Sequence, residues 1–265
     1  MKTKKTFSLL IAILFTLQIR AQVSDCQSTT IINSNNNSQI AKSELACITD
    51  NTNFNVNSNV NSNNWLCGQN LAKNHKVGDG VSPINKNVTY KTFSTTIFGG
   101  VKCVIIQNLG ASQQATYATD ATEISAGWYW QFNRKQGFKH DGITLTPNAW
   151  LTTIDEESDW NKANDPCSLL LGSGWRIPTK SEWTKADGGW STYNDTYNSV
   201  LKLHASGYLH YTNGAVTTRG NFGYYWSSTQ HKSAYGYRLY FDNITSFVFS
   251  SKKTSGYPLR CIIDN

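Results

Sequence analysis

The side chains that could bind a metal are few in this sequence. Asp155, Glu156, Glu157 and Asp159 form its densest acidic cluster. Carboxylate oxygens suit Ca²⁺, which takes about six to eight oxygen ligands. This cluster and a second oxygen-rich pair, Asp242–Asn243, are each candidate Ca²⁺ sites, although we expect no cofactor and no resident metal.

The five histidines do not form a metal-ligating group. His204 and His210 fall on one face of a predicted strand, where six residues separate them by about 20 Å. That distance is too long for two ligands of one metal ion. His75, His140 and His231 are isolated in the sequence. We interpret all five as ordinary surface side chains.

Ser227 and Ser228 are the hydroxyl pair that most resembles a nucleophile site. No Gly-x-Ser-x-Gly turn surrounds them, and no His and Asp partners follow at a spacing that would activate either hydroxyl. No Gly-rich phosphate loop occurs elsewhere in the chain. We therefore assign no catalytic residues and interpret the two serines as packing residues.

The first residues have the layout of a secretory signal peptide. Three lysines precede an apolar run over residues 7–17, which is followed by a short polar segment. The run is too short to cross a bilayer. We predict a signal peptide over residues 1–21, a secreted or cell-surface location, and no integral membrane span. Lipidation at Cys26 is an alternative, although Asp25 before it fits a lipidation signal poorly.

The charge balance argues against a nucleic-acid partner. The formal net charge is +7, but four basic residues belong to the predicted leader, which leaves 20 basic and 17 acidic residues and a net charge of +3. After the leader, the adjacent basic pairs are Arg134–Lys135 and Lys252–Lys253, which are far apart in the sequence. A phosphate backbone needs a stripe of positive charge, and this chain has none.

Six cysteines in an exported chain indicate disulfides rather than thiolate chemistry. No Cys-x-x-Cys spacing occurs. We expect Cys167 to pair with Cys261. The remaining four are expected to pair among themselves; they are Cys26, Cys47, Cys67 and Cys103.

The composition changes along the chain. Residues 22–85 are rich in Asn and Ser, and such a segment buries too little apolar surface to offset its ordering entropy. From residue 86 the chain contains β-prone and apolar runs, including residues 101–106. We place a domain boundary near residue 85, between an Asn/Ser-rich N-terminal region and a domain over residues 86–265.

A helix start is legible within residues 172–183. Thr179 can cap the helix, Glu182 stands three residues later as its capping-box partner, and Pro178 fixes the entry of the chain. Trp183 then begins the apolar face, and two glycines at 188–189 end the helix. We expect about two helical turns.

Most of the later chain favours strands. Residues 203–211 alternate in polarity and lead to an Asn-Gly turn at 213–214. Residues 224–228, 235–241, 245–249 and 259–263 follow as strands of a predicted antiparallel meander, joined by turns. These patterns predict a β-rich, disulfide-stapled α+β domain with short helices.

Three ordered segments carry a family resemblance. They are residues 174–183 (Gly-Trp-Arg-Ile-Pro-Thr-x-x-Glu-Trp), residues 225–228 (Tyr-Trp-Ser-Ser) and residues 259–261 (Leu-Arg-Cys). Over about residues 88–265 the chain resembles the Fibrobacter succinogenes major paralogous domain. That resemblance implies a C-type-lectin-like fold, shared with formylglycine-generating enzymes, and an extracellular module of Bacteroidota-like bacteria. It also implies structural roles for Trp175, Arg176, Pro178, Glu182, Trp183, Trp226 and Arg260.

The resemblance further implies a non-catalytic binding module. In relatives that serve as variable proteins of diversity-generating elements, the displayed residues correspond to residues 229–257. Strand alternation within this window points Leu239 and Phe241 into the core. The remaining candidate ligand-binding residues are His231, Lys232, Tyr235, Arg238 and Tyr240. The expected partner is an unknown protein or glycan at a cell surface.

The resemblance also leaves an enzyme as the alternative. Formylglycine-generating relatives bind copper through two closely placed cysteines late in the chain, whereas Cys261 has no late neighbour of this kind. The calcium-binding patterns of lectins, Glu-Pro-Asn and Trp-Asn-Asp, are absent as well. We therefore expect a binding module rather than a modifying oxidase.

Overall fold

The computed structural model describes residues 66–264. All of them belong to one compact unit, which begins before the predicted domain boundary. The predicted signal peptide, Cys26, Cys47 and most of the Asn/Ser-rich region lie outside the described residues. Among the residues that are described, no helix is long and apolar enough to cross a membrane.

The described chain is β-rich with few short helices. The helices are α1 (Glu123–Ala126), α2 (Pro166–Leu171), α3 (Lys180–Asp187) and α4 (Tyr193–Asn198), with 3₁₀ turns at Val77–Asp79 and Lys162–Asn164. The strands are β1 (Leu71–His75), β2 (Lys86–Tyr90), β3 (Thr92–Thr95), β4 (Lys102–Ile105), β5 (Tyr129–Trp130), β6 (Gly137–His140), β7 (Leu145–Thr146), β8 (Trp175–Arg176), β9 (Tyr208–Leu209), β10 (Val216–Thr217), β11 (Gly223–Lys232), β12 (Tyr235–Phe241), β13 (Ser246–Lys252) and β14 (Ile262–Asp264).

All strand pairs are antiparallel, in several small sheets. One sheet has the order β11-β12-β13 and another has the order β3-β4-β14-β8, while β5-β6-β7, β1-β2 and β9-β10 form smaller sheets. The predicted meander is therefore correct for its three central strands. Its last strand was placed wrongly, because β14 leaves that sheet and pairs with β4 and β8.

The folded unit extends across the boundary predicted near residue 85. Strand β1 pairs with β2, so that Leu71 lies opposite Tyr90. Leu71 and Val81 are buried in the core, and Cys67 forms a disulfide with Cys103 of β4. Two apolar residues of this mostly polar segment therefore pack into the core of the domain. Residues 66–85 belong to the domain for this reason.

The core has two large clusters that β11 separates. Trp226 enters a cluster with Trp128 and Trp130, whereas Tyr225 enters a cluster with Trp183. Successive side chains of a strand point to opposite faces, so adjacent residues of β11 contribute to different clusters. The Tyr-Trp pair of the second motif therefore joins the two halves of the core.

Helix α3 starts as its sequence predicts. Thr179 accepts from the Glu182 backbone N–H, and the Glu182 carboxylate accepts from the Thr179 backbone N–H, which completes a capping box. Trp183 is fully buried, and its Nε1 donates to the Trp226 backbone oxygen at 3.0 Å. The Ser228 backbone N–H also donates to the Pro178 oxygen at 2.8 Å. The helix start is thereby fixed to β11.

The second disulfide joins Cys167 of α2 to Cys261, the pairing expected from the sequence. Asp165 caps α2 by accepting from the Cys167 backbone N–H at 2.8 Å, and its other oxygen accepts from the Ile177 backbone N–H at 3.1 Å. Burial raises the pKa of Asp165 to about 6, against these hydrogen bonds. The region preceding α3 is thus tied covalently and by hydrogen bonds to the end of the chain.

Candidate ligand-contact surface

A row of aromatic side chains covers one face of the β11-β12-β13 sheet. Tyr224 lies opposite Tyr240, which in turn lies opposite Phe247, and Arg238 lies opposite Phe249. These residues share a face because partners across an antiparallel pair point the same way. We call this surface the aromatic face; it consists of Tyr208, Phe222, Tyr224, Arg238, Tyr240, Phe247, Phe249 and Tyr257.

The rings of the aromatic face touch one another without a break. The centroid distances are 6.3 Å from Phe249 to Phe247, 4.9 Å from Phe247 to Tyr240, and 5.3 Å from Tyr240 to Tyr224. Tyr224 stacks on Tyr257 at 5.1 Å, with ring planes 6° apart. Such spacing lies within the range of favourable aromatic pairs.

Exposure changes along this row. Phe249 is 60% exposed and Phe247 is 38% exposed, whereas Tyr224 and Tyr257 are buried. Single exposed apolar side chains are common on proteins, but contiguous apolar patches mark interaction sites more often. The aromatic face is a contiguous patch, because its exposed phenylalanines contact rings that continue into the core.

Arg238 lies among three tyrosines and has no acidic partner in the described range 66–264. Its guanidinium carbon is 4.9 Å from the ring centroid of Tyr224, 5.0 Å from that of Tyr240 and 5.9 Å from that of Tyr257. These are cation–π distances. Its Nε donates to Ser251 Oγ at 2.7 Å, while Nη1 is buried and has no hydrogen-bond partner. The positive charge is held by rings and is not neutralised.

Two tyrosines of this surface, Tyr224 and Tyr240, have pKa values above the ordinary value. Burial and the neighbouring Tyr257 raise the pKa of Tyr224 above its ordinary value, although Arg238 opposes the shift. Burial, followed by the hydrogen bond to Asp242, raises the pKa of Tyr240 to about 12. Tyr240 donates to Asp242 Oδ2 at 2.6 Å. Its hydroxyl therefore stays protonated at physiological pH.

The structure separates the five predicted contact residues into different groups. Arg238 and Tyr240 belong to the aromatic face. Lys232 and Tyr235 are exposed and pair with each other at the end of the β11–β12 hairpin. His231 contacts Tyr237 at 4.9 Å, and Tyr237 shares its strand face with Leu239, not with Arg238. The predicted set therefore does not form one continuous surface.

A smaller cation–ring pair lies on the other face of β12. The Lys180 ammonium nitrogen is 4.0 Å from the centroid of Tyr237. Lys180 begins α3, and its backbone N–H donates to Thr229 Oγ1 at 3.0 Å. Because this pair has the same chemistry as the aromatic face but fewer rings, it provides a matched comparison for binding experiments.

The sequence analysis did not name Phe247 and Phe249 as contact residues. Their signal was the alternation Ser-Phe-Val-Phe-Ser over residues 246–250, which a strand divides into two faces. Val248 packs against the core cluster that contains Trp183. Phe247 and Phe249 therefore point to the opposite face of the sheet. The alternation was visible in the sequence, but the neighbours Tyr224 and Tyr257 became evident only in three dimensions.

The acidic cluster is engaged in structural contacts. Glu156 accepts from Asn133 Nδ2 at 2.8 Å and pairs with Arg134 at 3.1 Å. Asp159 accepts from the Gln230 backbone N–H at 2.8 Å. Within the residues that the structure describes, no group of three or more His, Cys, Asp or Glu side chains is arranged to hold a metal.

The histidine prediction was wrong for three of the five residues. His75, His140 and His204 are buried, with exposed fractions of 1%, 5% and 0%. Burial lowers the pKa of His75 to about 4, and the charges of nearby lysines add to this shift. Its Nε2 lies 2.9 Å from the Tyr90 hydroxyl. Polar residues flank His75 and His140 in the sequence, so only tertiary packing shows that these two rings are interior.

The predicted motif residues lie mainly in the interior. Trp175, Pro178, Glu182, Trp183, Trp226 and Arg260 are all buried. Arg176 is half-buried and donates to both carboxylate oxygens of Glu182, at 2.8 and 2.7 Å, and to Asp264 at 3.0 Å. These contacts are internal to the fold, so the geometry favours a framework role for this motif.

Comparison with known families gives one match. A family described as "Domain of unknown function (DUF8237)" matches residues 186–262. This segment contains β11, β12 and β13 and all residues of the aromatic face. No curated protein and no solved structure matches the chain.

Proposed function

We propose that this protein is a secreted or cell-surface, non-catalytic binding module with a C-type-lectin-like domain, and that it contacts its partner through the aromatic face. The partner is a glycan or a protein displayed at a cell surface. The observation that supports the proposal is the continuous row of rings from Phe249 to Tyr257 around Arg238, a cation without an ion pair in the described chain.

The chemistry of the aromatic face suits recognition better than bond cleavage. Large rings bury much area at a small cost in conformational entropy, and tyrosine and arginine are frequent energetic centres of interfaces. Buried tryptophans anchor β11, because Trp183 Nε1 donates to the Trp226 oxygen at 3.0 Å and Trp226 Nε1 donates to the Trp130 oxygen at 2.7 Å. A rigid surface loses less entropy on binding, which favours adhesion without a conformational change.

The test is a binding comparison with the mature chain and two double variants. Glycan arrays and intact bacterial or host cells serve as the binding targets. Arg238→Ala with Phe249→Ala removes the cation and the most exposed ring of the aromatic face. Lys180→Ala with Tyr237→Ala removes the matched pair from the opposite strand face. We expect at least about a tenfold loss of affinity for the first variant and unchanged affinity for the second.

The outcomes distinguish an error in the proposed contact site from an error in the proposed binding function. Loss of binding only in the Lys180–Tyr237 variant would place the site on the opposite face and leave the binding function intact. Absence of binding by the parent chain to every glycan and surface tested would argue against the function. Copper content and oxidase turnover on a cysteine-containing peptide test the enzyme alternative, and a positive result in both would replace our proposal.

A further inference from the structure

Arg238 is a cation whose surroundings provide no carboxylate. It forms no ion pair within residues 66–264, although its side chain is only partly exposed. Its guanidinium carbon lies 4.9 Å from the ring centroid of Tyr224 and 5.0 Å from that of Tyr240. Ring faces attract a cation without neutralising it. Because a partly desolvated charge is stabilised by an opposite charge nearby, this place on the aromatic face favours an acidic group of a ligand.

Most hydrogen-bond donors of Arg238 are unused. Nε donates to Ser251 Oγ at 2.7 Å, whereas Nη1 and Nη2 have no hydrogen-bond partner in the described chain. A guanidinium carries five N–H donors in a planar fork, so one donor is engaged here and four remain. Polar atoms as enclosed as Nη1 nearly always have a partner in a folded protein. The fork matches the two oxygens of a carboxylate, which would supply both the missing acceptor and the missing charge.

Two exposed phenylalanines lie beside this cation. Phe249 is opposite Arg238 across the β12–β13 pair, and Phe247 is opposite Tyr240. The two phenylalanines are 60% and 38% exposed, and their ring centroids are 6.3 Å apart. Residues directly opposite each other in an antiparallel pair have Cβ atoms about 4.5–5.5 Å apart. The cation and an exposed ring therefore form one site on the aromatic face.

Asp242, the acidic residue closest to Arg238 in the sequence, is already engaged by the protein. Its carboxylate accepts from the Tyr240 hydroxyl at 2.6 Å, and from the backbone N–H groups of Ile244 at 2.8 Å and Thr245 at 2.9 Å. These contacts stabilise the turn that joins β12 to β13. Asp242 therefore leaves Arg238 without a counter-charge.

A second cation without an ion pair borders the aromatic face. Lys252 is exposed and makes no ion pair in the described part of the chain. Its Nζ is 3.8 Å from the ring centroid of Tyr211. Ring contacts lead from Tyr211 through His210 to Tyr208 of the aromatic face, at centroid distances of 4.3 and 6.3 Å. This positive charge complements an anionic partner and favours its approach.

We propose that the aromatic face binds an acidic glycan, with the carboxylate of a uronic or sialic acid on Arg238 and the sugar ring on Phe249. This inference rests on the binding function proposed above and names the class of its ligand. Pyranose rings present C–H groups on a flat face, which packs on an aromatic ring, and a carboxylate at the edge of the sugar meets a cation beside that ring. An acidic peptide supplies the carboxylate without the flat apolar face, so the combination of ring and cation favours the sugar.

The first experiment measures binding to the unmodified chain by isothermal titration calorimetry. One pair of probes is trigalacturonate and its fully methyl-esterified form, which have the same sugar rings but differ in charge. The other pair is sialyllactose and lactose, which tests a sialic acid as the source of the carboxylate. We expect the acidic member of one pair to bind about tenfold more tightly than its neutral counterpart, and the difference to shrink as sodium chloride increases.

The results separate an incorrect ligand class from an incorrect binding function. Equal affinities within both pairs, or no binding of either acidic sugar, would overturn the acidic glycan as the ligand. Binding to cells or to other glycans of the array would then leave the binding function standing. Tighter binding of hexaglutamate than of both acidic sugars would replace the glycan by an acidic protein segment. These measurements use the unmodified chain, so they decide the question even if a variant fails to fold.

Substitutions assign the preference for an acid to Arg238. Arg238→Met should lower the affinity for the preferred acidic sugar by about tenfold and remove its advantage over the neutral sugar. Phe249→Ala should weaken both members of the pair by a similar factor, because it removes the stacking surface and keeps the cation. Lys180→Met, on the opposite strand face, is the matched control and should bind as the parent does. A retained acid preference in Arg238→Met, with a melting temperature close to that of the parent, would contradict the proposal.

Discussion

Arg176 and Arg238 carry the same side chain in contrasting surroundings. Arg176 forms ion pairs with Glu182 and Asp264, at 2.7 and 3.0 Å. Arg238 lies among three tyrosine rings and donates to Ser251. The charge of Arg176 is therefore used within the framework around α3. The charge of Arg238 stays without an ion pair on the partly exposed aromatic face.

The two regions also differ in how their aromatic rings are used. Trp183 of α3 is fully buried, and its ring centroid is 5.4 Å from that of Phe98 and 6.1 Å from that of Tyr225. Phe249 of the aromatic face is 60% exposed. Buried rings contribute to folding stability, and exposed contiguous rings are available for binding. The difference therefore separates a framework from a candidate contact surface.

The largest expected loss of folding stability follows from a substitution in the framework, at Trp183. Trp183→Ala should lower the free energy of unfolding by about 3–5 kcal/mol, because it leaves a cavity and removes the hydrogen bond to Trp226. Urea denaturation followed by circular dichroism measures the change. A loss below about 1 kcal/mol would show that α3 is not a central part of the core.

Loss of the Arg176 ion pairs should have an intermediate effect on the free energy of unfolding. Hydrogen bonds from Arg176 and Lys102 lower the pKa of Asp264. Burial alone would raise the pKa of Glu182, but hydrogen bonds from Arg176 and Thr179 outweigh it and lower this pKa. A lowered folded-state pKa stabilises the protein above the unfolded-state value, and the stabilisation is lost as pH falls through the folded-state value.

Arg176→Met should therefore destabilise the protein by about 1–2 kcal/mol at neutral pH. The difference from the parent should shrink below about pH 4, where the carboxylates become protonated. Denaturation midpoints across this pH range measure it. Arg238→Met is the control, and a comparable narrowing in that variant would contradict the contrast between the two arginines.

The smallest stability effect is expected on the aromatic face. Phe249→Ala should change the free energy of unfolding by no more than about 0.5 kcal/mol, because most of the ring is already in water. The same urea titration measures this value. A loss of 2 kcal/mol or more, on the scale of core truncations, would make Phe249 a framework residue and remove the basis for its role in contact.

Local features of the fold were largely predictable. The capping box at Thr179 and Glu182, the burial of Leu239 and Phe241, and the strand over residues 235–241 all follow from short-range patterns. Helix caps and strand alternation depend on residues only a few positions apart. For this reason the sequence was sufficient for them.

The candidate site was only partly predictable. Strand alternation identified Arg238 and Tyr240 as facing away from Leu239 and Phe241, as the structure shows. It could not show that Tyr257, far along the chain, stacks on Tyr224. It also could not show that the bulges of β11 beyond Trp226 interrupt its pairing with β12 before His231. Bulges change which side chains share a face.

By itself, the sequence determined the β-rich class, the start and end of α3, and the inward and outward faces of β12. Tertiary structure alone decided that residues 66–85 join the domain, that β14 leaves the meander, and that His204 is buried in the core. The first set depends on neighbours within a few residues. The second depends on contacts between distant segments, whose formation is governed by the packing of the whole core.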